Sequence, residues 1–341
     1  MNERTMDNKL PVGWLIIGLL SLLAFISSAS GQLVSRVESV GFTVSDMDKA
    51  LDFYTRVLPF EKVSDRELIG TDVENLSGVF GARVRIVDLR LGDETLQLTE
   101  YLTPAGRAIP VDSRSNDRWF QHIAIIVSDM DKAYAHLRAH KVRYSSTAPQ
   151  TLPANITAAA GIRAFYFKDP DNHVLEILSF PTDKGLAKWH KLGKAGKVFL
   201  GIDHTAIVVG DTETSLGFYR DLLGLRVAGS SDNYGPEQEH LNNVKGARLH
   251  ITGLRTSDDG VAVEFLEYRS PTDGRLYPTD TRSNDLWYWQ TSFAADRIGA
   301  LPINSMWVSN GIATLGAGLF SFKKGAVIRD PDGHAVRLEE K

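Results

Sequence analysis

The heptapeptide VSDMDKA occurs at Val44–Ala50 and again at Val127–Ala133, and this repeat shows how the chain is organised. A second, longer spacing relates the two halves, because SNDRWFQ at Ser115–Gln121 returns as SNDLWYWQ at Ser283–Gln290. The stretch KDPDNHVLEI at Lys168–Ile177 likewise returns as RDPDGHAVRL near the end of the chain. Self-similarity of this kind indicates repeated structural units. We therefore predict four modules grouped in two pairs.

The repeats predict where modules and domains begin and end. The four modules cover residues 34–110, 111–180, 199–275 and 280–341. Grouped in pairs, they predict one domain over residues 34–180 and a second over residues 199–341. The stretch at 181–198, which is rich in Gly and Lys, is typical of a linker between them.

Each module has the same local pattern. It begins with an alternating apolar segment, such as HIAIIV at 122–127, that is typical of a β-strand. In three modules an aspartate follows at a helix N-cap position, and apolar residues then recur at helical spacing. These aspartates are Asp46, Asp129 and Asp211. Further short strands follow, and in modules two and four a DPD turn joins the last pair.

The pattern predicts an α+β fold built from four β-α-β-β-β modules. One such curved sheet cannot cover its own inner face, so two modules side by side are expected to form a cup. The histidines of the DPDNH and DPDGH turns, His173 and His334, are interpreted as turn residues.

Two motifs in the chain resemble those of a known family. They are the strand-then-helix run seen in VSDMDKALDFY and VGDTETSLGFY, and the DPD turn that leads into the last strand. With them the chain resembles the vicinal oxygen chelate superfamily from about residue 34 to its end. That superfamily includes glyoxalase I, fosfomycin-resistance proteins and extradiol dioxygenases. The resemblance implies two tandem domains of this fold, but it does not imply one reaction.

In that family each module offers two metal-ligand positions, one on its first strand and one on its last. Module two has His122 and Glu176 at these positions, and module three has His204 and Glu264. The resemblance therefore implies a site of two imidazoles and two carboxylates, provided that modules two and three share a cup.

The outer modules lack such ligands at the same positions, which hold Ser39, Gln97, Gln290 and Arg337. If modules pair in chain order, each cup holds half a site. In the alternative, exchanged pairing, modules two and three share one cup and modules one and four share the other. One cup then holds a whole site and the other holds none. Fused four-module glyoxalases are built in the exchanged way, so the resemblance favours it. Because the Arg337 guanidinium would repel a divalent ion, we expect its cup to bind no metal.

Two nitrogens and two carboxylate oxygens suit one divalent ion, and Zn, Ni, Co, Mn and Fe stay open. Such an ion acts as a Lewis acid beside a substrate oxygen. In glyoxalase-like enzymes a ligand glutamate also moves the proton, which here is Glu176 or Glu264. We therefore expect a metal-dependent, glyoxalase-I-like lyase or isomerase acting on a small molecule. Two alternatives stay open: an Fe(II)-dependent dioxygenase that cleaves a ring or a C–C bond, and a non-catalytic, resistance-type small-molecule binder.

Composition limits the classes of partner. The 341 residues carry a net charge of −4 and no cysteine. The absence of cysteine excludes disulfides and thiolate metal ligands. The net charge gives no indication of the basic surface that is typical of nucleic-acid binding. Because four fused modules already supply both cups, we expect a monomer.

The N-terminus predicts export. Residues 10–26 are apolar and are followed by the small residues SSASGQ, the layout of a secretory signal peptide over residues 1–31. The alternative is an uncleaved membrane anchor, which would be the chain's one membrane contact. We expect a periplasmic or secreted protein. That location disfavours glutathione as a cofactor, because free thiol is scarce outside the cytoplasm.

Overall fold

Two mixed, curved sheets of nine strands each dominate the part of the chain that the structure describes. This computed structural model describes Met1 and residues 32–257, 259–302, 304–316 and 318–341. The predicted signal segment at 1–31 lies outside these residues apart from Met1, so its cleavage and the export of the protein stay predictions. Among the described helices, none has the length and apolar character that a membrane span requires.

The described strands and helices follow the modules in order. In chain order the strands are β1 (Val34–Val44), β2 (Glu61–Ile69), β3 (Arg83–Leu91), β4 (Glu94–Thr103), β5 (Gln121–Val127), β6 (Arg143–Tyr144), β7 (Gln150–Thr151), β8 (Arg163–Lys168), β9 (Val174–Ser179), β10 (Phe199–Val209), β11 (Arg226–Tyr234), β12 (Arg248–Arg255), β13 (Ala262–Ser270), β14 (Trp289–Ala295), β15 (Met306–Trp307), β16 (Ala313–Thr314), β17 (Lys324–Arg329) and β18 (Ala335–Glu340). The α-helices are α1 (Met47–Asp52), α2 (Thr71–Ser77), α3 (Met130–Ala139), α4 (Ala187–Lys194), α5 (Thr212–Leu216) and α6 (Pro236–Asn242).

The two sheets are built by exchanged modules. The first sheet has the order β15-β17-β18-β14-β1-β4-β3-β2, so module four lies beside module one. The second has the order β11-β12-β13-β10-β5-β9-β8-β6, so module three lies beside module two. At each seam two first strands run antiparallel, β1 with β14 and β10 with β5. We call the concave side of the first sheet cup 1/4 and that of the second sheet cup 2/3.

Two apolar cores connect the modules in the other order. One core includes Tyr54 of module one together with Leu137 and Phe165 of module two. The other packs Tyr219 of module three against Ile328 of module four. Each module therefore shares a core with its neighbour in the chain and a sheet with its exchanged partner. Both pairings considered from the sequence occur, and the exchanged one builds the cups.

The predicted helix caps are confirmed. The side chains of Asp46, Asp129 and Asp211 each accept a hydrogen bond from the backbone N–H three residues further on. Module four differs from the predicted pattern, because its described residues hold a single 3₁₀ turn, Ile298–Ala300, in place of an α-helix. Gly299 and Pro302 explain the difference, since glycine and proline both disfavour continued α-helix.

Buried hydrogen bonds lock the DPD turn of module two to the other modules. Asp169 accepts from the hydroxyl of Tyr54 and from Nδ1 of His173, and Nε2 of His173 donates to the carbonyl of Leu286. Burial lowers the pKa of His173, but the charges of Asp169 and Asp171 and the hydrogen bond to Asp169 outweigh it, so the pKa is raised. In module four Asp330 likewise accepts from the Tyr219 hydroxyl, and Nε2 of His334 donates to the carbonyl of Val208.

This raised pKa predicts how stability depends on pH. A histidine that binds its proton more tightly in the folded state contributes stability fully below its unfolded pKa, about 6.5, and loses it as pH rises through the folded pKa. The free energy of unfolding of the wild type should therefore exceed that of His173→Gln most at low pH, and the gap should narrow above about pH 6.5. Urea denaturation of both proteins between pH 5.5 and 9 measures this difference in the free energy of unfolding. A difference that does not depend on pH would contradict the prediction.

Candidate metal centre

Four strands in the middle of the second sheet each contribute one predicted ligand. His122 lies on β5 and His204 on β10, the two strands at the seam. Glu176 lies on β9 and Glu264 on β13, which run parallel to β5 and β10 on either side of the seam. Because side chains alternate between the two faces of a strand, this register aims all four into cup 2/3.

Three of the four side chains converge tightly. One possible ligand atom from each of His122, Glu176 and His204 lies within 4.8 Å of the others, and all three residues are buried. Glu176 Oε2 is 3.2 Å from His122 Nε2 and 3.6 Å from His204 Nε2. Glu264 lies at the margin, with Oε1 3.7 Å from His204 Nε2 and a side chain that is 25% exposed. The structure therefore brings together a compact group of three and places Glu264 at its side.

Neighbouring charges and burial shift the pKa values of these groups in different directions. Burial lowers the pKa of His204, but the carboxyls of Glu264, Asp203 and Glu176 outweigh it and raise that pKa well above its usual value. Burial raises the pKa of Glu176, but its two histidine neighbours bring it below its usual value. Burial raises the pKa of Glu264, and the charge of His204 does not fully offset this. Without a bound ion the cup therefore favours a proton on His204, which a divalent cation would have to displace.

The surroundings of His122 indicate whether these residues suit a metal ion. Both of its ring nitrogens are buried and make no hydrogen bond among the described residues, although Nε2 faces Glu176. A buried polar atom without a partner is costly. An ion bound at the group of three would use that nitrogen, and two imidazoles with a carboxylate are ligands that first-row divalent ions accept. The residues present therefore fit such an ion.

Asp203 is a supporting residue that the sequence analysis missed. Its Oδ2 lies 3.1 Å from His204 Nδ1, which leaves His204 Nε2 facing the cup. Its Oδ1 accepts hydrogen bonds from Trp189 and Arg255, each at 3.0 Å. A carboxylate that orients the far nitrogen of a ligand histidine is a common feature of metal sites. The sequence does not single out Asp203, because consecutive strand residues normally face opposite sides, whereas a shift in strand register between Ile202 and His204 re-aims its side chain.

Replacing Asp203 with asparagine should weaken binding of a divalent ion about 10- to 100-fold, the usual effect of losing such a partner. Competition with a chromophoric chelator measures the dissociation constant for Zn²⁺. Glu38→Gln is a matched control, because Glu38 precedes Ser39 as Asp203 precedes His204 and lies on β1, in the other sheet. Equal affinity in wild type and Asp203→Asn would contradict the assigned role.

A cavity of about 320 Å³ opens beside the group of three. Its walls include the apolar side chains Leu178 and Ile251, and Glu176, His204 and Glu264 line it too. Its other polar and charged lining residues are Asp203, Ser230, Ser231, Asn233, Gln238, Arg255 and Tyr166. The cup can therefore enclose a small molecule that carries both apolar surface and polar groups.

Repeated modules, exchanged sheets and a histidine–carboxylate group on the seam define the class of protein. The family model for the Glyoxalase/Bleomycin resistance protein/Dioxygenase superfamily matches residues 36–177 and 201–338. The chain therefore belongs to this superfamily, and the resemblance and the α+β fold inferred from the sequence are confirmed.

Particular relatives place the chain within the superfamily. It is 34% identical to a 2-epi-5-epi-valiolone epimerase of Actinomyces sp over 157 residues, which is 43% of this chain and 80% of that protein. It is 27% identical to the lactoylglutathione lyase of Schizosaccharomyces pombe over 56% of this chain and 59% of the relative. The structure of glyoxalase I from Zea mays superposes with a TM-score of 0.54 at 15% identity, covering 89% of this chain and 92% of that one. This last likeness shows the shared fold.

Proposed function

We propose that this protein is a metal-dependent lyase or isomerase of the glyoxalase type, which moves a proton next to an oxygen atom of a small molecule. The observation that carries the proposal is the buried group of His122, Glu176 and His204 at the wall of a cavity. The sequence relationship to a lyase and an epimerase supports a reaction of this class.

His122, Glu176 and His204 would hold the ion. A divalent ion bound there supplies a Lewis acid that polarises a substrate oxygen and acidifies the neighbouring C–H bond. Asp203 orients His204 through Nδ1. The apolar walls of the cavity exclude water around the bound substrate, which strengthens every electrostatic interaction in the site.

Glu264 is the residue we assign to proton transfer. It faces the same cavity and lies beside His204, outside the tight group of three. A carboxylate in that place is near the substrate and is not needed to complete the metal-binding group. Glu176 is enclosed between two imidazoles and is better placed to remain a ligand. Glu264 therefore takes the proton from the substrate carbon and returns it during turnover.

A second candidate function rests on one specific observation. A compact group of two histidines and one carboxylate is the ligand set of non-haem Fe(II) oxygenases, and Glu264 lies outside it. A dioxygenase that cleaves a ring or a C–C bond would use these three ligands and leave positions for substrate and oxygen.

Proton transfer and oxygenation are separated by incubating the metal-loaded full chain with substrates in D₂O. Lactoylglutathione and 2-epi-5-epi-valiolone, named by the relatives' activities, are the first compounds to test. An isomerised or cleaved product, with NMR showing deuterium at the reacting carbon and no oxygen uptake, supports the proposal. Oxygen consumption that requires Fe²⁺ supports the dioxygenase. A chain that binds no metal after exposure to Zn²⁺, Ni²⁺ or Fe²⁺ contradicts both enzymes and leaves the non-catalytic binder.

A further inference from the structure

Cup 1/4 also encloses a cavity, and its lining differs from that of cup 2/3. Apolar side chains form much of its wall, among them Val84 and Ile86. Tyr101, Tyr288 and Gln290 add polar atoms. The cavity volume is about 50 Å³, so it suits only a small ligand.

Among the lining residues that the structure describes, Arg337 is the charged one, and none of them is a carboxylate. It occupies the strand position that Glu176 has in cup 2/3, since Arg337 pairs with Ser292 as Glu176 pairs with Ala124. Its side chain is only 6% exposed. Cup 1/4 therefore has a cation at the position where cup 2/3 has a candidate metal-ligand carboxylate.

The guanidinium of Arg337 is held in place and keeps donors available. Nη1 donates to Gln97 Oε1 at 2.8 Å, and Nε donates to Glu339 at 2.8 Å. Nη2 lies 2.7 Å from the same Glu339 oxygen. A guanidinium has five N–H groups, so these contacts leave donors for a ligand. Two partners also fix its orientation before any ligand binds, which reduces the entropy lost on binding.

The tyrosines add neutral donors to the same cavity. Burial raises the pKa of Tyr101 and also that of Tyr288, so both phenols keep their protons at neutral pH. The Tyr288 hydroxyl donates to Gln290 Oε1 at 3.2 Å, so it would turn away from Gln290 to donate to a ligand. A planar anion between the guanidinium and the phenols would accept hydrogen bonds from both, and its apolar part would contact Val84 and Ile86.

We propose that cup 1/4 is a second ligand site, which binds a small monocarboxylate with a short apolar group through Arg337. A single negative charge fits better than two, because Glu339 already offsets the Arg337 charge, so that a monoanion brings the three groups to a net charge of −1 and a dianion would bring them to −2. This site is separate from the candidate metal centre and holds whether or not cup 2/3 is catalytic.

Calorimetric titration of the full chain with 2-methylpropanoate, in the presence of EDTA, tests the proposal. EDTA removes metal ions that could bind the carboxylate in cup 2/3. We expect saturable binding at about 1 mM or tighter, which is within reach of a ligand of this size. The uncharged isostere 2-methylpropanamide should bind at least about ten-fold more weakly, because hydrogen bonds to a charged group are the stronger ones.

Two variants and one control identify the site. The double variant Arg337→Met with Glu339→Met removes both members of the buried ion pair, so neither charge is left unpaired. It should weaken 2-methylpropanoate binding at least about ten-fold. Tyr288→Phe, which removes only a hydroxyl, should weaken binding about five-fold and keeps the test decisive if the double variant does not fold. His122→Ala, in the other cup, should bind the carboxylate as the wild type does.

Several outcomes would overturn the second site. One is the absence of saturation up to about 50 mM, far beyond the affinity expected. Another is equal binding of the carboxylate and the amide. Unchanged binding in a folded double variant or in Tyr288→Phe, or loss of binding in a folded His122→Ala, would also contradict it.

Discussion

Replacing His122 with alanine should abolish stoichiometric binding of a divalent ion. Its imidazole belongs to the compact group of three, and neither ring nitrogen has a hydrogen-bond partner among the described residues. The substitution therefore removes a ligand together with its 3.2 Å contact to Glu176, and it breaks no hydrogen bond of the two ring nitrogens. We expect an effect larger than the roughly 10- to 100-fold loss typical of a supporting residue. Elemental analysis of the full chain after equilibration with Zn²⁺, Ni²⁺ or Fe²⁺ measures it.

Gln290→Ala is the matched control for this experiment. Gln290 stands in cup 1/4 at the position that His122 has in cup 2/3, because Gln290 pairs with Gly41 as His122 pairs with Ala206. The control should keep the metal content of the wild type. Circular dichroism confirms that both variants are folded. A folded His122→Ala that retains its ion would contradict the shared metal site in the proposed function. A second ion that is lost in Gln290→Ala would contradict the expectation that cup 1/4 binds no metal.

Replacing Glu264 with glutamine should reduce turnover about 100- to 10,000-fold, the usual contribution of general acid–base catalysis. Glutamine has nearly the same shape but cannot take up a proton. Because Glu264 lies outside the compact group of three, the variant should keep its metal ion. The measurement is kcat and KM on a substrate identified in D₂O, together with metal content. We expect kcat to fall while KM changes little.

The same measurement on Glu176→Gln separates the two glutamates. Glu176 contacts both histidines, so this variant should lose metal and activity together. If Glu264→Gln loses its ion and Glu176→Gln keeps it, the two roles are reversed. If both variants keep full activity, neither carboxylate transfers the proton.

Much of the fold follows from local sequence patterns. The repeated VSDMDKA run predicts strands followed by helices, and the caps at Asp46, Asp129 and Asp211 form as predicted. A cap depends on one side chain and the backbone a few residues away, so local sequence is enough to predict it. The 3₁₀ turn of module four differs from the predicted helix because Gly299 and Pro302 interrupt the repeated pattern there.

The sequence by itself determined the four modules. The resemblance to a family then implied the strand positions of the four candidate ligands and the lack of equivalent ligands in modules one and four. Which modules share a sheet was decided by the tertiary structure, because the seam between β5 and β10 joins residues far apart in the chain. Local patterns are the same for both pairings, and only packing distinguishes them. The place of Asp203 behind His204 depends on a shift in register, and the position of Glu264 beside the group of three depends on distances across four strands. Contacts of this kind come from the assembled sheet and have no signature in the spacing of residues.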